Sequence, residues 1–466
     1  MSRRAGHREG RRGMRVRPRK SSRDRPAHRF GGGVLPSAGW RRVMTVAAAT
    51  ISVGDELLAG ESLDTHGRTI AEALGDRGVR VVSHVVVGDD VVGIEQAIRS
   101  ALRRAGLVLV TGGLGPTLDD VTREGLAAAI EQPLVEDPDG LATIERWFAG
   151  RSRPMPATNR RQALRPRDAV LLENANGTAP GVLWKGSEAT VVLLPGPPRE
   201  LGPMLDSVMD GVLADAPPRP RVVLRAHGLG ESDAASRIES LMERNRELPV
   251  ATTVSNSIVS ARIRGRSSDD RALVDAIAAE VESAWAPYCF GRDADSLPHV
   301  VGRELAARSL TVATAESCTG GGLGAAITEV PGSSEWYPGG FVTYANERKV
   351  ADLGVPPELL ASEGAVSASV VEAMVAGVRG STGADLGVAT SGVAGPGGGT
   401  DARPVGTVWI AVGDRDGVDR RRFRFPGGRD LVRNRTVLAA LQMIRLRLLG
   451  ESATLLWEWS ESGDGS

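Results

Sequence analysis

The feature that most constrains this fold is a series of short apolar runs separated by longer amphipathic segments. Runs such as "VAAATISV" (46–53), "LVLVT" (107–111) and "TVVLL" (190–194) are rich in β-branched residues, and segments with helical periodicity lie between them. Strands of this kind are buried on both faces, as in a parallel sheet covered by helices on each side. The pattern predicts a three-layer α/β/α domain with a mainly parallel sheet over residues 44–215.

The same alternation returns in residues 297–449, with apolar runs at "LTVATAES", "DLGVATSG" and "GTVWIAVG" and a long final helical segment. The stretch between the two, 216–296, is shorter, and its "IVSARIRG" alternates like a strand exposed on one face. We therefore expect an α/β protein made of two three-layer α/β/α domains joined by a small α+β domain. Residues 450–466 are expected to form a loose tail.

Charge separates the first residues from the rest of the chain. Residues 1–43 carry 14 Lys and Arg against 2 Asp and Glu, lack a hydrophobic period and are rich in Gly, Pro and Ser, which predicts a disordered basic extension. Whether Met1 or Met44 is the start is left open. The remaining residues carry 43 basic against 55 acidic side chains and show no basic stripe, so no specific nucleic-acid partner is expected.

Cysteine content and hydropathy limit the cellular setting. The two cysteines, Cys289 and Cys318, are too few and too far apart for a disulfide framework or a cysteine-based zinc cluster, which suits a reducing cytoplasm. No run approaches the ~18 apolar residues of a membrane span, so no membrane partner is expected. The sequence leaves open whether the chain forms a homodimer.

A first candidate site lies in "AESCTGGG" (315–322), where an apolar strand runs into glycines and then a helix. Parallel sheets bind ligands at this carboxyl edge, and Ser317 is placed there. The backbone amides of Thr319, Gly320 and Gly321 are predicted to converge on an anion or a developing oxyanion. The alternative is a tight strand-to-helix turn with a capping Ser or Thr.

Lys349 stands out because this chain hardly uses lysine: of 57 basic residues only three are lysines, and Lys349 is the one within 297–449. No histidine lies in 300–466, so a nucleophilic Ser317 would lack the usual base. A buried lysine can lose its proton, whereas arginine cannot. We predict a Ser317–Lys349 pair with Tyr344 as an auxiliary hydrogen-bonding group, and with Tyr344 and Arg348 lowering the lysine pKa. A chance surface lysine, or Cys318 as nucleophile, are the alternatives.

A second glycine-rich loop, "SGVAGPGGGTDARPVG" (391–406), follows another strand of the same domain. Its glycines, Gly395 among them, suit close backbone approach to a phosphate or a ring, or simply a flexible connection. Arg429, Arg433 and Arg435, near the start of the last helix, could hold a phosphate.

The N-terminal domain carries its own glycine loop, "VTGGLGPTLDDVTREG" (110–125). It lacks the GK[ST] ending of a P-loop, and we predict a backbone nest for a nucleotide phosphate. The predicted nucleotide-binding residues are Gly112, Gly113, Gly115 and Thr117. Four carboxylates, Asp119, Asp120, Glu56 and Asp64, are predicted to hold a divalent metal such as Mg, Mn or Co. The alternatives are N-capping by Asp119 and helix-dipole compensation by Asp120.

Together, "AESCTGG", "VPGSSEWYPGGFVTYANERK", "SGVAGPGGG" and "PVGTVWIAV" resemble the C-terminal domain of the CinA family. Members of this family include nicotinamide mononucleotide deamidases, so the resemblance implies hydrolysis of the nicotinamide carboxamide to the acid, with release of ammonia and without a cofactor. It places the family's serine, tyrosine, lysine and phosphate-side arginine on Ser317, Tyr344, Lys349 and Arg433.

"SVGDELLAGESLDTHG", "NRRQA" and "LPGPPREL" resemble the molybdopterin-binding-like domain that begins full-length CinA proteins. This resemblance implies a metal-dependent ADP-ribose pyrophosphatase. His66 stands where the family usually has asparagine, so a domain that only binds its ligand stays open.

The combined expectation is an enzyme of pyridine-nucleotide salvage that acts on small-molecule pyridine nucleotides. Two alternatives come from other functional classes: a molybdopterin- or nucleotide-binding protein, and a competence or DNA-damage accessory without catalysis.

Overall fold

The computed structural model describes residues 47–214 and 216–459. The predicted basic extension, 1–43, and the end of the expected tail, 460–466, lie outside these residues. The chain divides between Pro217 and Pro218 into two compact units.

The first unit is built on one twisted sheet with an additional short ladder. Its strands are β1 (Ala47–Val53), β2 (Arg80–Val87), β3 (Leu107–Thr111), β4 (Leu134–Glu136), β5 (Leu164–Pro166), β6 (Val170–Leu172), β7 (Gly181–Lys185) and β8 (Thr190–Leu194). Its helices are α1 (Asp55–Leu58), α2 (His66–Asp76), α3 (Val91–Leu102), α4 (Thr122–Ala129), α5 (Pro138–Ala149) and α6 (Pro198–Val212), with a 3-10 helix at Ala157–Ala163.

The main sheet has the order β2-β1-β3-β8-β7-β6. The pairs β1–β2, β1–β3 and β3–β8 are parallel, whereas β7 and β6 extend the sheet antiparallel. Alternate residues of β3 enter two separate cores: Leu107 and Leu109 pack with α2 and α6, and Val108 and Val110 with α3 and α4. Burial of both faces explains the unbroken apolar runs.

The second unit contains two sheets. Its strands are β9 (Arg221–His227), β10 (Ala251–Ser255), β11 (Ile258–Arg264), β12 (Cys289–Arg292), β13 (Val312–Glu316), β14 (Gly339–Val342), β15 (Leu386–Gly392), β16 (Thr407–Asp414) and β17 (Gly417–Arg424). Its helices are α7 (Glu231–Arg237), α8 (Glu239–Met242), α9 (Arg271–Ala284), α10 (Leu297–Arg308), α11 (Gly322–Thr328), α12 (Asn346–Leu353), α13 (Pro357–Glu363), α14 (Ala368–Thr382) and α15 (Arg429–Leu449), with 3-10 turns at Ser268–Asp270 and Ser333–Glu335.

The smaller sheet, β10-β11-β9-β12, is antiparallel, and the larger has the order β14-β13-β15-β16-β17. Strand β13 is parallel to both β14 and β15, and the β16–β17 hairpin adds an antiparallel edge. Helix α14 covers one face of this sheet, and α10, α11 and α15 cover the other. The predicted fold class, α/β domains with mainly parallel sheets and a small α+β piece between them, is confirmed.

The structure differs from expectation at the end of the chain, because residues 451–459 are packed rather than loose. Leu455 is buried, the Leu456 amide donates to the Gly228 carbonyl at 2.8 Å, and the Trp459 amide donates to the Arg422 carbonyl at 2.7 Å. This segment thereby links the two sheets of the second unit. None of the described helices is long and apolar enough to cross a membrane.

Candidate active site

Ser317 lies at the carboxyl edge of the larger sheet, directly after β13. Its amide donates to the carbonyl of Thr390 on β15 at 2.9 Å, and the residue is buried. Gly320 and Gly321 then take left-handed φ values of 61° and 90°, which turn the chain into α11. Side chains other than glycine adopt this backbone conformation at a cost, so the glycines fix the tight strand-to-helix turn.

Several backbone amides of the turn and of the start of α11 already have acceptors within this segment. The Glu316 carboxylate is buried and accepts the first-turn amides of α11, from Leu323 at 3.0 Å and Gly324 at 2.7 Å. The Gly320 amide donates to the Ser317 carbonyl at 3.1 Å. Of the three predicted oxyanion donors, the Gly320 amide is therefore already engaged within the turn, and the positive end of α11 is met by a carboxylate.

Lys349 projects from α12 into the base of the site, and its side chain is almost completely buried, with 1% of the residue exposed. Its Nζ lies 3.1 Å from Ser317 Oγ, 2.8 Å from the Thr343 carbonyl oxygen and 3.4 Å from the Tyr344 carbonyl oxygen. Burial lowers the pKa of Lys349, against the opposing effects of Cys318 and Glu347. The lysine is neither on the surface nor distant from the serine.

Arg348 does not contribute as the sequence suggested. Its guanidinium forms an i,i+4 ion pair with Asp352 through Nε at 2.9 Å, on the exposed side of α12. The lowered lysine pKa therefore follows from burial and not from a neighbouring cation.

Cys318, the alternative nucleophile, is buried among the apolar residues of the domain. Burial raises the pKa of its thiol to about 12, so the sulfur is protonated at neutral pH and a poor nucleophile.

Tyr344 stands at the open side of the site, with 58% of the residue exposed. Its hydroxyl accepts a hydrogen bond from Arg429 Nη2 at 2.9 Å, and Arg429 Nη1 donates to the Gly395 carbonyl at 2.9 Å. Arg429 thus ties the second glycine loop to the segment that carries Lys349. The Tyr344 hydroxyl was expected to bond to the Ser–Lys pair, but it bonds to Arg429 instead. Tyr344 contacts Lys349 only through its backbone carbonyl.

The other two arginines of α15 are used differently. Arg433 donates to the Thr319 carbonyl from Nε at 3.3 Å and from Nη2 at 2.9 Å, and so holds the serine loop from outside. Arg435 donates to Ser257 Oγ at 3.1 Å, and its guanidinium lies 4.4 Å from the centre of the Trp457 ring. Arg435 therefore connects the two sheets, and its guanidinium is not directed to the candidate phosphate site.

Thr390 and Thr343 are the functional neighbours that sequence reasoning missed. The Thr390 hydroxyl lies 2.8 Å from that of Thr319. The carbonyl of Thr390, on β15, accepts from the Ser317 amide, and the carbonyl of Thr343, just after β14, accepts from Lys349 Nζ. Each stands at or just after the carboxyl end of a strand, which is a signal that the sequence offered.

In the first unit, the predicted loop residues line a cleft of about 620 Å³. The predicted residues at its wall are Gly112, Gly113, Gly115, Asp119, Asp120, Glu56 and Asp64. Thr117 is exposed beside this wall. His66 and an unpredicted carboxylate, Asp89, also line the cleft.

Asp120 closes the glycine loop on itself. Its carboxylate accepts the amides of Gly115 at 2.7 Å and Thr117 at 2.8 Å, and also the Thr117 hydroxyl. Helix α4 begins at Thr122 with Val121 at the N-cap, so Asp119 does not cap it. Asp119 is exposed and is not an N-cap. Asp120 closes the glycine loop and does not compensate the helix dipole.

Asp64 is equally engaged. It accepts the His66 and Gly67 amides at 2.9 and 3.1 Å, and its second oxygen lies 2.6 Å from His84 Nε2. Burial alone would raise the pKa of Asp64, but hydrogen bonds from Gly67, Ser52 and His84 outweigh it and hold the pKa below its ordinary value. Asp64 therefore accepts the first two amides of α2 and holds the His84 ring.

The four predicted metal ligands therefore do not act as one set. Across residues 47–214 and 216–459, no group of three or more His, Cys, Asp or Glu side chains is arranged to hold a metal ion. Glu56 and Asp119 remain near Asp89, and burial, with the like charges of Asp55, Glu56 and Asp119, raises the pKa of Asp89. The residues in this arrangement do not fit a metal centre.

Comparison with known proteins identifies three family models along the chain. "Probable molybdopterin binding domain" matches residues 49–215, "Damage-inducible protein CinA KH domain" matches 221–291, and "CinA C-terminal domain" matches 294–448. These segments contain the N-terminal cleft, the smaller sheet of the second unit and the Ser317–Lys349 site.

Several relatives match over most of the chain. A competence-damage inducible protein of Symbiobacterium thermophilum is 44% identical over 421 residues, 86% of this chain and 99% of its own. A CinA-like protein of Gemmatimonas aurantiaca is 38% identical over 423 residues, 89% of this chain and 99% of its own. The crystal structure of a CinA protein of unknown function from Thermoplasma acidophilum is 37% identical, covers 36% of this chain and 97% of its own, and gives a TM-score of 0.34.

Proposed function

The chain belongs to the CinA family, and we propose that its C-terminal domain is a nicotinamide-nucleotide amidohydrolase that converts nicotinamide mononucleotide and water to nicotinate mononucleotide and ammonia. Ser317 is the nucleophile and Lys349 the base. The observation that carries this proposal is the buried 3.1 Å contact between Lys349 Nζ and Ser317 Oγ.

The surroundings of Lys349 suit a neutral amine. An uncharged amine has two N–H groups and one lone pair, and the carbonyls of Thr343 and Tyr344 offer acceptors for the two N–H groups. The lone pair is then left for the Ser317 hydroxyl, which donates to it. Because burial lowers the pKa of Lys349, the neutral form is populated more readily than in water.

The reaction follows from this arrangement. Ser317 Oγ bonds to the carboxamide carbon as its proton passes to Lys349 Nζ. Lys349 returns that proton to the departing nitrogen, the C–N bond breaks, and ammonia leaves an acyl-serine ester. Lys349 then takes a proton from water as the water oxygen attacks the ester, and it returns that proton to the serine oxygen as the acyl–oxygen bond breaks. The nicotinic acid product that is released loses its own proton to solvent and becomes the carboxylate.

Substrate contacts are assigned around this pair. The unengaged amides of the 319–321 turn are the proposed oxyanion donors, with Arg433 fixing the turn through the Thr319 carbonyl. The exposed ring of Tyr344 and the Gly395 loop, joined by Arg429, form the proposed wall for the nucleotide. We also propose that Arg433 lies on the phosphate side of the substrate. Its contact with the Thr319 carbonyl means that it stabilises the turn as well.

The test is ammonia release from nicotinamide mononucleotide by the purified chain, with Ser317→Ala beside it. Loss of at least about 10³-fold in kcat with an unchanged circular dichroism spectrum is expected, since removal of a nucleophile costs this order. Trapping of the acyl-serine by a slowly hydrolysed amide analogue gives a second readout. Undiminished turnover by Ser317→Ala would show that Ser317 is not the nucleophile.

A second function is proposed for the N-terminal cleft, on the observation that about 620 Å³ of open volume lies against the 112–115 glycine loop. We propose that it binds a phosphate-bearing nucleotide, with ADP-ribose as the substrate that family resemblance suggests. The test is ADP-ribose binding by calorimetry, followed by AMP release with Mg, Mn or Co added in turn. Binding without AMP release would support a nucleotide-binding domain, and competition by a pterin would favour the molybdopterin alternative.

A further inference from the structure

A second cavity, of about 320 Å³, lies in the first unit between helix α5 and strand β6, the edge of the main sheet. One face of the helix lines it, through Gly140, Thr143, Ile144 and Trp147, which recur at the i, i+3, i+4, i+7 spacing of a single helical stripe. Leu171 on β6 contributes to the opposite wall. This stripe would normally pack against the sheet, yet here it leaves an open volume within the range of small-molecule pockets.

The helix and the strand approach most closely near the start of α5. A Cβ on Gly140 would lie 2.3 Å from Leu171 Cδ1, so a larger residue there would push the helix away. Trp147 lies near the other end of the helix, and the Arg151 guanidinium stands 3.6 Å from the centre of its ring. Arg151 covers one face of the indole and the Phe148 ring makes an edge-to-face contact with it at 5.3 Å, and the remaining part of the indole lines the cavity.

Trp147 also carries an unused polar group. Its Nε1 is shielded from solvent and has no hydrogen-bond partner in the described part of the chain. Buried indole N–H groups usually find an acceptor, because leaving one unpaired costs free energy. A ligand that brings an acceptor to this wall would satisfy it.

The charges at the cavity disfavour phosphate as its occupant, because Arg146, the one cation among its lining residues, already donates to Thr143 Oγ1 at 2.8 Å and is outnumbered by carboxylates. Asp139 and Glu173 are exposed carboxylates on its lining, and Asp137 is already bound to Arg165 at 2.6 Å and to the Gly140 amide at 2.8 Å. Free carboxylates repel phosphate but accept hydrogen bonds from amino groups. An apolar slot with one free donor and nearby acceptors suits a planar nitrogen heterocycle that bears an exocyclic amine.

The cavity adjoins the proposed nucleotide cleft. Thr178 lines both volumes, and Asn174, on the cavity side, donates to Glu200, on the cleft side, at 2.8 Å. A Cβ on Gly177 would lie 2.2 Å from Glu200 Oε2, so Gly177 packs closely against Glu200 next to Thr178, the residue at which the two volumes meet.

From these contacts we infer that the α5–β6 cavity is the base compartment of the N-terminal site: it takes the purine ring of a nucleotide whose phosphates lie at the 112–115 glycine loop. The inference rests on the proposed nucleotide binding by the cleft. It adds that the domain selects purine nucleotides over base-free phosphates, and that Trp147 is a specificity-determining residue.

The experiment compares two probes on the full chain by calorimetry: ADP-ribose, which has a base, and inorganic pyrophosphate, which has none. Trp147→Phe keeps an aromatic ring and removes the N–H, and should weaken ADP-ribose binding by about two- to tenfold, the range for one hydrogen bond, with pyrophosphate unchanged. Thr143→Trp fills the cavity and should weaken ADP-ribose at least about tenfold, again without affecting pyrophosphate. Trp184→Phe, a partly buried tryptophan on β7 outside both linings, is the matched control and should change neither.

Unchanged ADP-ribose affinity in both Trp147→Phe and Thr143→Trp would overturn the base compartment while leaving the cleft proposal intact. Equal weakening of both probes would also overturn it, since the variants would then be acting on the fold of the unit. Failure of the unmodified chain to bind either probe would instead remove the nucleotide-binding function, and the inference with it.

Discussion

The two candidate sites of this protein both lie where a buried strand runs into a glycine-containing loop, and in both of them carboxylates accept backbone amides, but only the second unit also brings a serine hydroxyl and a lysine amine into contact. In the second unit, Ser317 and Lys349 meet in a buried contact of 3.1 Å, and the nearby carboxylate of Glu316 is turned to the helix amides. In the first unit, Asp120 and Asp64 are committed to the loops that surround an open cleft.

In the second unit the packing fixes two side chains that could react with each other, whereas in the first unit the polar contacts fix the backbone of the loops. A lysine works as a base only where burial depresses its pKa, so the Ser–Lys pair has to be dry and fixed by packing. A phosphate-binding loop needs backbone amides at set positions, and a carboxylate that closes the loop achieves this without taking part in chemistry. These contacts support our proposal that the first unit is a binding site, in which any catalysis would need groups supplied from outside the chain.

Substitution of Lys349 should have the largest effect, and it should affect the second unit alone. Lys349→Arg keeps the positive charge and removes the accessible neutral form, so kcat for ammonia release should fall by about 10³-fold or more. ADP-ribose binding by the other unit should be unchanged and serves as the control for folding. Turnover by Lys349→Arg near that of the unmodified chain would show that the lysine does not carry the proton.

Asp120 gives the corresponding test in the first unit. Asp120→Ala removes the acceptor for the Gly115 and Thr117 amides, and hydrogen bonds to a charged group are worth about 1.5–3 kcal/mol each, so exchange of these amides with solvent should accelerate by about ten- to a hundredfold. Hydrogen exchange read by NMR or mass spectrometry measures it. Asp119→Ala, an exposed neighbour, is the matched control, and equal acceleration in both variants would contradict the loop-closing role of Asp120.

The pH dependence of ammonia release should report the protonation of Lys349. The base must be neutral, so kcat should rise about tenfold per pH unit on the acid limb and level off once the lysine is deprotonated. Because burial lowers the pKa of Lys349, the midpoint should lie below the ordinary value of 10.5. The measurement is initial rate against pH with stability checked at each point, and a midpoint at or above 10.5 would argue against a buried base.

Cys318 should show the smallest effect. Its thiol is buried, with a pKa of about 12, and packs with apolar residues, so Cys318→Ala should leave kcat within about threefold while lowering the melting temperature. Ammonia release and thermal denaturation are the two readouts. A loss of activity as large as that of Ser317→Ala, in a folded protein, would move the nucleophile to the thiol.

Local sequence patterns were enough to predict the fold class and to suggest the Ser317–Lys349 pair. Unbroken apolar runs require burial on both sheet faces, as the division of β3 between two cores demonstrates. The lack of histidine in 300–466, with a single lysine in that domain, made Lys349 the predicted base. Both conclusions are available from local pattern and residue chemistry, which do not depend on distant contacts.

The partners of the polar side chains, in contrast, depend on contacts between distant parts of the chain. Asp64 meets a histidine 20 positions away, and Arg433 holds a carbonyl 114 positions away, in place of the metal or phosphate that spacing alone suggested. The packed 451–459 segment and the open α5–β6 cavity were likewise not visible in the pattern. A carboxylate or guanidinium has the same chemistry wherever it stands, and the partner that satisfies it is set by which distant backbone the fold brings within about 3 Å.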